Sequence, residues 1–160
     1  MNISGEREIN AEKADVWAAL NDTTILQQCI PGCQTVEKVS DTEFTATVVI
    51  AIGPMKARFN GKVTLSDLNP PHGYKISGEG QGGIAGFGSG GAIVNLAEGG
   101  PGTTILSYTA EAAVGGKMAQ LGARLIESTA RKLSDKFFDA FAAVVGGEGG
   151  MTAETAAAAD

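Results

Sequence analysis

A long amphipathic stretch near the C-terminal end of the sequence most constrains the fold. Residues 117–145 contain no proline, and their one glycine, Gly122, falls in the second turn of a helix that starts at Lys117. The large apolar residues recur at spacings of three, four or eight, which places them on one stripe of an α-helix. They are Met118, Leu121, Leu125, Leu133, Phe137, Phe141 and Val145. Such a helix spans roughly 40 Å, and its apolar stripe needs a partner surface, because a single amphipathic helix cannot bury it alone.

The partner surface is predicted in the preceding hundred residues, which contain a run of strands. Apolar and polar side chains alternate over residues 43–52 and again over 55–65. Alternation of this kind is typical of a sheet with one buried and one solvated face. Further strands over 74–80, about 90–98 and 103–114 complete an antiparallel meander.

The N-terminal segment predicts a short strand followed by two helices. The strand covers residues 2–9, and Asn10 is expected to cap a helix over Ala11–Leu20. Asp22 or Thr23 is expected to cap a second, shorter helix. The complete order predicts an α+β fold, in which a curved antiparallel β-sheet wraps around a long C-terminal α-helix, with two short helices near the N-terminus.

Length and composition indicate one domain over residues 1–146, with a glycine- and alanine-rich tail over 147–160. The tail is expected to be flexible, because its composition cannot bury enough surface to offset its ordering entropy. A formal net charge of −6 argues against nucleic acid as a partner, since binding it needs a basic stripe. No apolar run of about twenty residues and no secretory signal is present. Cys29 and Cys33 are therefore expected to be reduced thiols in the cytoplasm.

The glycine-rich segment Ser77–Gly91 contains two matches, by letter, to the dinucleotide-binding fingerprint. That fingerprint needs a helix directly after it to hold the pyrophosphate, and strand patterns flank this segment on both sides. Glycine in a strand marks a sharp bend or the close approach of a ligand. Two interpretations remain open, which are a glycine-lined ligand cavity and a strongly curved sheet with a mobile hairpin around Gly82–Gly91.

No constellation of residues predicts catalysis or metal binding. Cys29 and Cys33 lack the spacing of a metal or redox pair, so structural thiols are favoured. The only histidine, His72, lies in a predicted hairpin loop with no partner for nucleophilic catalysis. Asp135 and Asp139 fall on the charged face of the long helix, where solvated carboxylates are expected. The sequence thus indicates no catalytic residues and no metal site.

The stretch VGGKMAQLGARLI at residues 114–126 resembles the signature of the carbon monoxide dehydrogenase CoxG family. The segment Cys29-Ile-Pro-Gly-Cys33 and the glycine-rich run through Gly86-Phe87 are also similar to that family. The resemblance covers about residues 1–146. It implies the START-like (SRPBCC) helix-grip fold, in which an apolar cavity lies between the sheet and the C-terminal helix.

The resemblance further implies a function as a non-catalytic accessory protein of a molybdenum hydroxylase of the carbon monoxide or xanthine dehydrogenase kind. The implied partners are that hydroxylase complex, a lipophilic small molecule and, through a peripheral contact, the inner face of the membrane. The implied ligand is a quinone or lipid, with no covalently bound cofactor. Many members continue into a hydrophobic anchor, whereas the alanine-rich end of this sequence is too short to enter a bilayer.

Apolar residues of the strands, the glycine-rich segment and the long helix are expected to line the cavity. They are Ile50, Ile52, Met55, Phe59, Ile84, Phe87, Met118, Leu121 and Leu125. A second hypothesis is a purely protein-binding adaptor or assembly factor without a ligand, docking through the glycine-rich hairpin or basic residues. A third is a START-like cyclase or hydrolase that uses Tyr74 or Tyr108 on the inner face of the sheet.

Overall fold

The computed structural model of the chain describes residues 1–152, and its side chains over residues 1–146. Within this part of the chain the elements follow in the order β1 (Asn2–Ile9), α1 (Lys13–Leu20), α2 (Thr23–Cys29), β2 (Cys33–Ser40), β3 (Glu43–Ile52), β4 (Met55–Asn69), β5 (Gly73–Gln81), β6 (Phe87–Gly100), β7 (Thr103–Gly115) and α3 (Ala123–Thr152). Two short 3₁₀ helices, Gly83–Ala85 and Lys117–Leu121, precede β6 and α3.

The strands form one antiparallel sheet in the order β1-β7-β6-β5-β4-β3-β2. Each of the strands β2 to β7 pairs with its neighbour in sequence, while β1 pairs with β7 at the far edge. The curved sheet packs against α3, and α1 and α2 connect the first two strands. The predicted α+β helix-grip architecture is confirmed.

The larger part of the core lies where α1 and the C-terminal half of α3 meet β5, β6 and β7. Phe141, Leu106 and Val16 have no exposed surface there. Phe141 stacks on Phe137 with ring centroids 5.7 Å apart, and Tyr108 stacks on Phe138 at 4.8 Å. We call this region, built around the cluster of Ile9, Val16, Tyr74, Val94, Leu106 and Phe141, the packed end.

A second, smaller cluster lies at the opposite end of the sheet. Ile52 and Phe59 of the β3–β4 hairpin meet Ala85 and Met118 of the two 3₁₀ helices. Met55, Leu121 and Leu125 pack against this cluster and are half-buried. We call this region the cavity end.

The long helix differs from the sequence prediction at its start. It begins at Ala123 rather than Lys117, because Gly122 has φ +101°, a left-handed conformation that interrupts the helix. Met118 and Leu121 therefore lie on a separate 3₁₀ turn and do not share the stripe of α3. At its other end α3 extends to Thr152, while residues 153–160 of the predicted tail lie outside the described residues.

The N-terminal elements also differ in part from the prediction. Asp22 caps α2 as expected, its carboxylate accepting hydrogen bonds from the amides of Thr24 and Ile25 at 2.9 and 3.3 Å. The helix α1, however, begins at Lys13 and not at Ala11, since the Ala11 amide donates to the carbonyl of Ile9 in a tight turn. The prediction that Asn10 caps α1 is therefore wrong.

Two strand assignments also change. The edge strand β2 was not predicted, because most of its side chains are exposed and no clear alternation marks it. The strand β6 begins at Phe87, so much of the segment predicted as a mobile hairpin is paired with β5 and β7. Over residues 1–152, no helix is both long enough and apolar enough to cross a lipid bilayer.

Candidate ligand-binding site

The inner face of the sheet lacks side chains over its middle rows. Gly61, Gly80 and Gly88 are cross-strand neighbours on β4, β5 and β6. In the adjacent row Gly78 pairs with Gly90. These glycines occupy the positions at which the alternation of the strands directs side chains toward α3.

A cavity of about 450 Å³ lies between these glycine rows and α3. Ile126, Ala130 and Leu133 of α3 form its opposite wall, and Ile52, Phe59 and Met118 border it at the cavity end. Its surface is almost entirely apolar. The volume falls within the range of about 300–1,000 Å³ that is typical of small-molecule sites.

Several of the floor glycines are not required by the backbone. A Cβ atom at Gly78 would lie 3.6 Å from the Lys62 carbonyl oxygen, and one at Gly80 would lie 3.8 Å from that of Asn60. Both are ordinary van der Waals distances, and Gly88 gives the same result. Gly90 differs, because a Cβ there would clash with the carbonyl oxygen of Glu111. Gly78, Gly80 and Gly88 thus keep space open that a larger residue would fill.

The structure separates the predicted cavity residues into three groups. Ile50, Ile52, Phe59 and Met118 line the cavity. Met55, Leu121 and Leu125 belong to the adjacent apolar cluster and not to the cavity wall.

The two predicted residues of the glycine-rich segment form the third group and lie on the surface. Ile84 is 90% exposed and Phe87 is 50% exposed, and neither lines the cavity. Gly83 and Gly86, which flank this turn, have φ +64° and +123°. These left-handed positions break the alternation of the strands, so the sequence period does not carry the inward face across the turn.

Sequence reasoning missed the helical wall of the cavity. Ile126, Ala130 and Leu133 follow one another at spacings of four and three, which is itself a helical signal. The stripe chosen from the largest side chains included Leu133 but passed over Ile126, which is 8% exposed.

The chemistry available in the cavity is that of apolar contact. The hydroxyl of Thr129 donates to the Leu125 carbonyl at 2.8 Å within α3, so its proton is already engaged. Glu79 and Glu111 border the space through strand positions whose side chains are exposed. Burying an ionised ligand group here would leave its charge without a partner. The site therefore fits the neutral, hydrophobic part of a ligand.

The residues considered for metal or thiol chemistry lie apart from the cavity. Within residues 1–152 no group of three or more His, Cys, Asp or Glu side chains is placed to hold a metal ion. His72 is exposed, with Nδ1 2.9 Å from the Lys13 ammonium. Cys29 and Cys33 are free thiols, and burial raises the pKa of both, which lowers the fraction of reactive thiolate.

Known structures share this architecture over most of the chain. A conserved protein from Geobacillus kaustophilus is 31% identical, with a TM-score of 0.84 and coverage of 91% of this chain and 95% of that one. The Zhui aromatase/cyclase from Streptomyces sp. R1128 is 12% identical, with a TM-score of 0.67 and coverage of 91% and 93%. A START superfamily protein from Mycobacterium smegmatis is 13% identical, with a TM-score of 0.67 and coverage of 90% and 96%. The latter two likenesses show the fold.

The family assignment comes from the sequence as a whole. No curated protein matches the chain. The profile of the carbon monoxide dehydrogenase protein CoxG matches residues 5–146, which includes nearly all of the sheet, the first two helices and the described side chains of α3. This protein belongs to the carbon monoxide dehydrogenase CoxG family, with a START-like fold.

Proposed function

We propose that this protein is a non-catalytic accessory of a carbon monoxide or xanthine dehydrogenase-type molybdenum hydroxylase and that it binds a lipophilic small molecule, a quinone or lipid, between the sheet and α3. The observation that carries the proposal is the apolar cavity of about 450 Å³ above glycines that the backbone does not need. Each Å² of apolar ligand surface removed from water contributes about 25 cal/mol to binding. An empty cavity of this size would forfeit that contribution.

Family membership supports the accessory role. The family takes its name from carbon monoxide dehydrogenase, so the partner enzyme is of that kind. The accessory role is to help recruit the enzyme to the membrane or to deliver its electrons to the bound quinone. In this role the protein acts in the cytoplasm, in peripheral contact with the inner face of the membrane.

A ligand-free adaptor or assembly factor is the second candidate, and the exposed apolar turn at Ile84 and Phe87 favours it. A cyclase-type activity has less support. The Tyr74 ring packs edge-on against Trp17 and that of Tyr108 stacks on Phe138, so both tyrosines belong to the packed end.

Mass spectrometry of organic-solvent extracts tests the proposal. The full chain is purified without detergent from its own host, together with Gly80→Val, which fills the cavity floor, and Ser77→Val, which places the same side chain on the exposed face of the same strand. We expect a stoichiometric quinone or lipid with the wild type and Ser77→Val, and its loss with Gly80→Val.

Two results would count against a carrier. One is a clean wild-type extract that stays clean after incubation with quinones and fatty acids, which would favour the adaptor. The other is equal ligand content in Gly80→Val and Ser77→Val, which would move the ligand out of the glycine-floored cavity.

A further inference from the structure

Three segments distant in sequence meet on the surface of the cavity end. The Gly83–Ala85 turn packs on the segment that follows β7, where the Phe87 ring lies against Gly115. The β3–β4 turn meets α3, where the Leu125 side chain lies against Gly53. We call the exposed residues Lys56, Ile84, Phe87, Lys117 and Arg124 on these segments the cavity-end surface.

Two large apolar side chains project from this surface into solvent. Ile84 is 90% exposed, more than any other large apolar residue of the described chain, and Phe87 nearby is 50% exposed. The left-handed Gly83 and Gly86 hold this turn away from the sheet. An isolated apolar residue on a surface needs no explanation, but two on one protruding turn indicate a contact with another apolar phase.

The charges around these side chains are all positive. Lys56, Lys117 and Arg124 are exposed, and no ion pair engages them among the described residues. No aspartate or glutamate occurs in the stretches 44–66, 80–97 or 112–126 that form this end, although the formal net charge of the chain is −6. Elsewhere cations are matched, as Arg7 is by Asp139 at 2.6 Å and Lys62 by Glu43 at 2.8 Å.

The same end borders the cavity. Met118 both lines the cavity and joins Ala85 in the cluster beneath the exposed turn. One layer of side chains thus separates the cavity from the surface that carries Ile84. The opposite end of the molecule, where Gly146 packs on Asn10, lies at the other end of α3.

We propose that the cavity-end surface docks on a lipid bilayer that carries anionic headgroups. Ile84 and Phe87 enter the boundary between headgroups and acyl chains, and Lys56, Lys117 and Arg124 contact the phosphates. An apolar tip beside basic residues is the combination that binds such an interface. The inference rests on the proposed function, since docking in this orientation lets a lipophilic ligand pass between bilayer and cavity without crossing water.

Vesicle flotation with the full chain tests the docking. The probes are vesicles of phosphatidylcholine alone and of phosphatidylcholine mixed with phosphatidylglycerol. Two double variants alter the surface, Ile84→Ser with Phe87→Ser and Lys117→Glu with Arg124→Glu. The matched control, Lys132→Glu with Lys136→Glu, makes the same change in net charge at exposed residues of α3.

We expect the wild type to float with the anionic vesicles, and each cavity-end double variant to lower the partition coefficient roughly tenfold or more. The control is expected to retain most of its binding. Equal loss in the control would overturn the proposal, because net charge alone would then explain binding. Equal flotation of the wild type with both kinds of vesicle, or with neither, would also overturn it.

The ligand extract separates this inference from the proposed function. Ligand present in a wild type that does not bind vesicles refutes the docking and leaves the carrier intact. Vesicle binding by a protein with a clean extract refutes the carrier. Cavity-end variants that keep vesicle binding but no longer co-purify with the hydroxylase assign this surface to a protein partner and refute the bilayer.

Discussion

The packed end and the cavity end are built from the same strands and the same helix, yet they differ in the size of the side chains between them. At the packed end one row across β5, β6 and β7 presents Tyr74, Val94 and Tyr108. A few rows away, Gly80 and Gly88 are paired on β5 and β6. The backbone hydrogen bonds continue through both rows, so the sheet persists where the core does not. The comparison shows how a single layer of sheet and helix can hold a rigid core and a binding space side by side.

The largest effect is expected at the packed end. Phe141 has no exposed surface, so Phe141→Ala removes a large buried side chain and leaves a void. We expect a loss of about 3–5 kcal/mol in the free energy of unfolding, measured by urea denaturation. A loss below about 1 kcal/mol would show that the packed end is not where stability is concentrated.

A smaller effect is expected from truncation at the cavity wall. Met118 is 4% exposed and borders an existing space, so Met118→Ala enlarges a cavity instead of creating one. We expect a loss of about 2 kcal/mol, at the low end for such truncations. The same urea titration, on extracted ligand-free protein, makes the measurement. A cost equal to that of Phe141→Ala would remove the distinction between the two ends.

Adding a methyl group to the cavity floor should stabilise the protein slightly. Gly80→Ala meets only ordinary contacts, and replacing glycine within a strand reduces the entropy of the unfolded chain. We expect a gain of about 0.5–1 kcal/mol in the ligand-free protein. Gly90→Ala is the matched control and should destabilise, because its methyl group would meet the Glu111 carbonyl oxygen. Destabilisation by both variants would mean that the floor glycines serve the backbone and not the cavity.

The smallest effect is an alkaline one, and it belongs to the packed end. Burial raises the pKa of Tyr74 above the ordinary value of 10.0, so the unfolded chain releases this proton before the folded one does. The free energy of unfolding should therefore fall as pH rises above about 10. Tyr74→Phe should flatten this fall in urea titrations across the alkaline range. Cys29→Ala separates the part due to the buried thiol, whose pKa is also raised. An unchanged slope in Tyr74→Phe would contradict the assignment.

The sequence predicted the elements whose pattern is regular over many residues. Alternation over 43–52 and 55–65 predicted β3 and β4, and the spacing from Leu125 to Val145 predicted the body of α3. The break at Gly122 was not predicted, because one glycine within a periodic pattern does not reveal its φ. The edge strand β2 was missed since it lacks a clear alternation of apolar and polar positions.

The candidate site was predicted more in kind than in detail. Glycines at inward positions of β5 indicated missing side chains, and the structure has its cavity above them. Ile84 and Phe87 were assigned to the cavity because they are apolar, whereas exposure depends on the turn that carries them. Periodicity identifies the face of a regular element, but it cannot follow the chain through left-handed glycines.

The interruption at Gly122 has a consequence for how this cavity can change its size. Nothing lies within 4 Å of a Cβ placed on Gly122, so the joint between the 3₁₀ turn and α3 is sterically open. In a continuous helix, inserting one residue would rotate everything beyond it by about 100° and turn the apolar stripe out of register. Because the joint absorbs such a rotation, Met118 can be advanced, withdrawn or replaced while Ile126 and Phe141 keep their places. The depth of the cavity and the register of the helix are thus independent variables in this chain.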